Sequence, residues 1–307
     1  MPSRTARAFC AARLHHGFAP RRFVATCLLA TLIVLGLTSA SCLAAGRGPQ
    51  GTSSAAARED AIRSIPLAKL DPTDRQRISA TVSETALFRR LPVQVTPCDP
   101  ELYLFLVRHP EVVVNIWEVM NISNVAIART GENTFRAADG AGTLCQIKYC
   151  YSDHETQVIY AEGTYDGPLL NRPVRATCVL LLKSGYAQET TGRHFVTSRM
   201  DTFIQIDHAG VELLARTLQP LVHRSADYNF TETATFLGTV SKAAETNGAG
   251  VGRLARRLTN ADPAVRERFA EIAMQVNQKA QQRDASQAAA IGVPAPAARR
   301  QSYVERR

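Results

Sequence analysis

None of the short motifs that announce a catalytic centre occurs in this sequence. There is no H-E-x-x-H, no G-x-S-x-G and no Walker loop, so metalloprotease, serine-hydrolase and nucleotide-binding chemistries have nothing to anchor them. The absence of C-x-x-C removes the thioredoxin-type dithiol and the zinc knuckle. Cysteine itself is scarce: of seven in 307 residues, only Cys98, Cys145, Cys150 and Cys178 lie beyond residue 45. Four cysteines permit two disulfides in three pairings, but such a density is far from a disulfide scaffold. Tryptophan is reduced to one residue, Trp117. At 45% hydrophobic and 21% charged, the composition excludes whole-chain disorder, collagen and polytopic membrane classes.

Basic charge is also missing from the body of the chain, despite a formal total of +9. Residues 1–45 carry five arginines and no acid, and residues 250–307 carry 11 basic against 5 acidic residues, whereas residues 46–249 carry 20 basic against 22 acidic. The excess lives at the two ends. A weakly acidic body offers no basic stripe, so no nucleic-acid partner is expected.

The N-terminal end has the layout of an export signal. Arginines up to Arg22 precede the apolar run Phe23–Leu37, and the small residues of TSASCLAAG follow. Cleavage after Ala40, Ala44 or Ala45 leaves a small residue at the last position. The alternative is an uncleaved anchor, for which the uncharged stretch is long enough, with the arginines held on the cytoplasmic side. In either form the remainder is expected to be exported, as a periplasmic, secreted or membrane-anchored protein. Arg21-Arg22 lacks the surroundings of a twin-arginine signal, and Ser39-Ala40-Ser41-Cys42 has Ser where a lipoprotein box needs an aliphatic residue.

Beyond the leader, residues 46–71 read as a Gly-, Ser- and Ala-rich linker. Asp71 and Pro72 cap an N-terminal helix over 72–88. Leu91–Thr96 alternates as a first strand, and Asp99-Pro100 starts a helix that Pro110 divides into two. Six β-rich runs follow between residues 123 and 207, separated by turn chemistry such as Asp139-Gly140 and Ser152-Asp153-His154, the pattern of an antiparallel meander. After Asp207 the apolar period lengthens through Val211, Leu214, Ala215, Leu218 and Val222 to Val240, predicting a long helix with a kink at Pro220. Gly248, Gly250 and Gly252 read as a linker, Asp262-Pro263 starts an amphipathic helix, and the Ala-, Pro- and Arg-rich end reads as a disordered basic tail.

This order, with Asp99-Pro100-Glu101, Phe105-Leu106 and Pro110 in the first helix and FIQID-HAG-VELLARTLQPLV joining last strand to last helix, resembles the helix-grip fold of the START-like superfamily. That group includes lipid-transfer START domains, the birch-pollen allergen family and polyketide cyclases. The resemblance covers roughly residues 88–245, and the grip domain is placed at 89–245; residues 246–307 form the linker, helix and tail. It implies an α+β fold, a curved antiparallel sheet of about seven strands wrapped on a long C-terminal helix, and a hydrophobic small molecule or lipid held between them.

Alternation then selects candidate wall residues. Tyr149 and Tyr151 share a face with Cys145 and Ile147, and Met200 shares one with Val196, Ile204 and Ile206, with Ser198 and Thr202 interleaved as polar anchors. Trp117, Leu214 and Leu218 complete the expected ligand-binding set, against which stands the plainer reading of a filled core. No catalytic residue, metal or cofactor is expected. Asp153-His154-Glu155 reads as a solvated turn, and Cys145 and Cys178, on strands two apart and so nearly 10 Å from each other, as unpaired core thiols. The functional expectation is a non-enzymatic exported domain that binds an apolar ligand and associates with membranes through its N-terminal segment or basic tail. The alternatives are a cyclase-like enzyme or a structural envelope protein with a filled core.

Overall fold

Side-chain caps and prolines set where the first helices of this protein begin. The computed structural model describes residues 50–167, 173–207 and 219–290, with side chains from residue 222 in the last stretch. Ser54 caps α1 (Ala55–Ser64), accepting from the Ala57 N–H. Asp71 caps α2 (Pro72–Ser83) through the Asp74 N–H, after one 3₁₀ turn at Leu67–Lys69. Asp99 accepts from the Glu101 and Leu102 N–H groups to start α3 (Pro100–Arg108), and Pro110 starts α4 (Pro110–Val119) directly after a non-helical His109. The division at Pro110 follows from the missing donor and fixed φ of proline.

The strands are β1 (Leu87–Arg90), β2 (Gln94–Pro97), β3 (Ala126–Arg129), β4 (Thr134–Ala138), β5 (Thr143–Ser152), β6 (Thr156–Tyr165), β7 (Val174–Gln188) and β8 (His194–Ile206). They form one antiparallel sheet in the order β1-β8-β7-β6-β5-β4-β3, with β2 also paired to β8. There are eight strands because the expected first strand, Leu91–Thr96, begins only at Gln94 and a further strand precedes it: Leu87–Arg90 pairs with residues 201–204 and Gln94–Pro97 with residues 195–198. Two long helices close the fold, α5 (Gln219–Ala255) and α6 (Pro263–Ala290). The fold is α+β, a curved antiparallel sheet gripping a long C-terminal helix, with flanking helices. No helix among the described residues is long and apolar enough to cross a membrane.

Both faces of the sheet are covered. On the concave side Phe135, Ala161, Cys178, Leu180, Met200 and Ile204 pack with Val222 and Phe230 of α5. On the convex side Val158, Tyr160, Val179, Leu181 and Phe203 pack with Ala57, Ala61, Ile78 and Val82 of α1 and α2. Residues 55–64, read from composition as linker, are therefore a docked helix, because alanine at 57 and 61 gives it a flat side that lies close to the strands. The N-terminal helix ends at Ser83, short of the expected Phe88, since Leu87 and Phe88 already pair with β8.

Consecutive arginines on β1 join the layers. Arg89 points to the concave side and forms an ion pair with Asp227 of α5. Arg90 points the other way, to buried Asp201 (2.6 Å) and to Asp60 of α1 (2.7 Å). Strand alternation alone sends the two guanidinium groups to opposite layers.

Helix α5 departs from helical geometry at Asn247 (φ −153°, ψ 67°). Its Oδ1 accepts from the Gly250 N–H at 2.8 Å and so caps the next turn, while Asn277 Nδ2 donates to the Glu245 carbonyl at 2.7 Å. Residues 208–218, ahead of the expected kink at Pro220, lie outside the described ones, as does the tail beyond 290. Gly248, Gly250 and Gly252 belong to the helix, a correction of their reading as linker. A Cβ on Gly248 would stand 2.7 Å from the Ala273 carbonyl, so glycine here permits the close approach of α5 and α6. Phe269, Ile272 and Val276 hold α6 to α3, α4 and the second half of α5.

Candidate functional site on the concave face

The concave face is assembled from strand residues of one parity and from α4 and α5. Phe135 on β4 and Tyr149 on β5 have ring centroids 5.6 Å apart. Tyr149 donates from its hydroxyl to the Val107 carbonyl at 2.8 Å, and burial pushes its phenol well above the ordinary value. Met200 is buried in the same cluster. Trp117 is half-buried where this cluster meets the one around α6, with Phe236 edge-on at 5.6 Å. Tyr149, Met200 and Trp117 are thus the expected wall residues that the tertiary structure places on the concave core.

The other candidates sit elsewhere. The pairing of β5 with β6 slips between Tyr149 and Tyr151, so that Tyr149 opposes Ile159 and Tyr151 opposes Val158. An extra residue reverses the parity beyond it, and Tyr151 packs on the convex cluster, its hydroxyl 2.6 Å from Asp153 Oδ2 and 2.8 Å from Lys69 Nζ. Thr202 is buried, but its hydroxyl donates to the Arg89 carbonyl at 2.9 Å. Ser198 is buried beside the Tyr103 phenol; burial raises that phenol, and the hydroxyls of Ser184 and Ser198 oppose the rise. The Thr202 hydroxyl is therefore not left over as an anchor. Leu214 and Leu218 lie outside the described residues.

One polar cluster at the rim of this face was not legible in the sequence. Arg129, at the end of β3, shares the parity of core residue Ile127 and lies with its guanidinium carbon 4.4 Å from the centre of the Phe135 ring. Its Nε donates to Glu111 Oε1 at 2.9 Å, and His109 Nδ1 is 3.1 Å from the same oxygen. Glu111 is 2% exposed, and its Oε2 has no hydrogen-bond partner. Burial pushes this carboxyl up, and the His109 and Arg129 contacts reverse that and hold it below the ordinary value. A glutamate directly before the apolar run Val112-Val113-Val114 is the one signal that could have marked it.

The four cysteines among the described residues are free and mostly buried. Burial pushes the thiols of Cys98, Cys150 and Cys178 up to about 12 and that of Cys145 to about 11. At pH 8 only ~1 in 1,000 of the Cys145 thiols is ionised, and the thiolate is the reacting form. Iodoacetamide at pH 8 is expected to leave these four unmodified in the folded protein and to label all four in denaturant, as read peptide by peptide by mass spectrometry. Rapid native labelling of Cys145 or Cys178 would contradict this burial.

Two clefts open away from the concave face. One of about 570 Å³ runs between the end of α6 and the β7–β8 turn, where Lys279 is paired with Asp99 and Arg283 with Glu245. The other, about 220 Å³, lies beside Arg77, Arg136 and Glu162. At the β5–β6 turn, Asp153 Oδ1 accepts from the Glu155 and Thr156 N–H groups. That carboxylate shapes the hairpin, as a turn residue does. Among the described residues no group of three His, Cys, Asp or Glu side chains converges to hold a metal ion.

No family model matches this chain, and no curated protein does. Solved structures that share parts of its architecture include a hypothetical protein from Helicobacter pylori, with 12% identity and a TM-score of 0.32 over 49% of this chain and 89% of that one. An uncharacterised protein from Rhizobium leguminosarum matches with 12% identity and a TM-score of 0.26, covering 48% and 96%. Ara h 8.0201 matches with 10% identity and a TM-score of 0.23, covering 47% and 99%. Scores of this size assign no family. The fold class rests on the strand order and on the helix packed across the sheet.

Proposed function

We propose that this protein is an exported, non-catalytic binding domain whose concave sheet face holds a hydrophobic small molecule or lipid against α5. The observation that supports the reading is the composition of that face. Phe135, Met200, Ile204, Val222 and Phe230 form one buried apolar cluster, and the half-buried rings of Trp117 and Tyr149 pack against it. Half-buried aromatics beside an apolar core are suited to an apolar ligand, because they present large surfaces whose removal from water is favourable, at about 25 cal/mol per Å². Export rests on the arginine-rich leader and apolar run of residues 1–45. Contact with a membrane, through that segment or the basic end of the chain, belongs to the same reading.

The single tryptophan makes the test direct. Titration with an apolar fluorescent probe is expected to quench Trp117 emission by energy transfer, and a competing long-chain lipid should restore it. Replacing Ala176, half-buried on the concave face, with phenylalanine should weaken probe binding by about tenfold at little cost in stability, through occupied volume. Unchanged Trp117 emission at saturating probe, with no lipid recovered from the purified protein, would remove the proposal in favour of a filled core.

A further inference from the structure

Resting on the concave-face reading, we infer that the polar end of the ligand is a hydrogen-bond donor, a hydroxyl or an ammonium group, received by the open carboxylate oxygen of Glu111 at the rim beside Arg129, Phe135 and Tyr149. The inference comes from which hydrogen-bonding capacity is already taken there. Arg129 is nearly saturated: Nε donates to Glu111 Oε1, Nη1 to the Glu132 carbonyl, and Nη2 to the Arg108 carbonyl at 3.0 Å, with His109 Nδ1 3.2 Å from the same nitrogen. The Tyr149 hydroxyl donates to the Val107 carbonyl. Among these side chains the acceptor without a partner is Glu111 Oε2, which is buried.

A buried carboxylate oxygen is an acceptor with two lone pairs and no proton to offer. Leaving it unpaired is unfavourable, whereas a donor brought to it gains a charge-assisted hydrogen bond. A carboxylate head group would set a second anion beside Glu111, with Arg129 already engaged. The nearby surfaces suit an amphiphile: the Phe135 and Tyr149 rings lead from the carboxylate into the apolar face, so that one end of a chain meets the acceptor while the rest lies on hydrocarbon.

The experiment uses the full chain and three probes with the same twelve-carbon tail, dodecanol, dodecylamine and dodecanoate, each below its aggregation concentration at pH 7.5, in displacement of an apolar fluorophore. Dodecanol and dodecylammonium are expected to bind at least about tenfold more tightly than dodecanoate. Glu111→Gln, which keeps the shape but lends the site a donor, should narrow that preference to about threefold or less, with its thermal transition checked separately. The neutral alcohol carries the decision, because it is indifferent to the overall charge of the protein. Dodecanoate binding as well as or better than dodecanol overturns the head-group assignment and leaves the apolar grip standing, as does a preference that survives Glu111→Gln intact. Binding of none of the three overturns the concave-face reading itself. The wild-type series decides the matter even if the variant does not fold.

Discussion

Replacing Asp201 with alanine is expected to destabilise the fold by about 2–3 kcal/mol, because it takes from the half-buried Arg90 a fully buried, charge-assisted partner. Asp201 sits on β8 directly opposite Arg90 of β1 and is completely buried. It accepts from Arg90 Nε at 2.6 Å and Nη2 at 3.1 Å, a bidentate geometry, and Arg199 Nε is 3.6 Å away. Without the carboxylate, Arg90 retains only Asp60, whose side chain is 44% exposed and therefore screened by water. Asp201→Asn keeps one acceptor and should cost less, and Asp60→Ala should cost about 1 kcal/mol or under, as for an exposed pair. Urea unfolding of the three variants measures the ranking. An Asp201→Ala loss below about 1 kcal/mol would mean that the pair is not desolvated, and with it the docking of α1 on the sheet would be in question.

Two adjacent leucines should prove equally costly for different reasons. Leu180→Ala and Leu181→Ala are each expected to lose about 2–5 kcal/mol, since both side chains are fully buried and neither site can collapse freely. Leu180 points to the concave cluster and Leu181 to the convex cluster under α1 and α2. Binding of an apolar probe, followed through Trp117, should therefore change for Leu180→Ala, which enlarges the concave side, and stay within about twofold of wild type for Leu181→Ala. If Leu181→Ala costs less than about 1 kcal/mol, the convex face is effectively exposed, and the N-terminal helices are an appendage to the sheet.

The two variants also bear on what was readable in the chain. The run Cys178-Val-Leu-Leu-Leu182 has no alternation, and a strand apolar on successive residues is buried on both faces. Val179 and Leu181 face α1 and α2, and α1 is a segment that composition alone assigns to linker. Tyr151 was misplaced for a related reason. Parity counting assumes an unbroken ladder, and the irregularity between Tyr149 and Tyr151 depends on how β5 meets β6.

By itself the sequence determined the order of the elements, the helix starts at Asp71-Pro72, Asp99-Pro100 and Pro110, the meander, and the apolar stripe of α6, because caps, prolines and periodicity act over a few residues. The tertiary structure alone decided that the sheet is covered on both sides, that the Thr202 hydroxyl is engaged, and that Arg129 meets Glu111 from 18 residues away, leaving one oxygen without a partner. Those outcomes depend on which distant surfaces come together and on what hydrogen-bonding capacity remains once they have, and no local pattern records either.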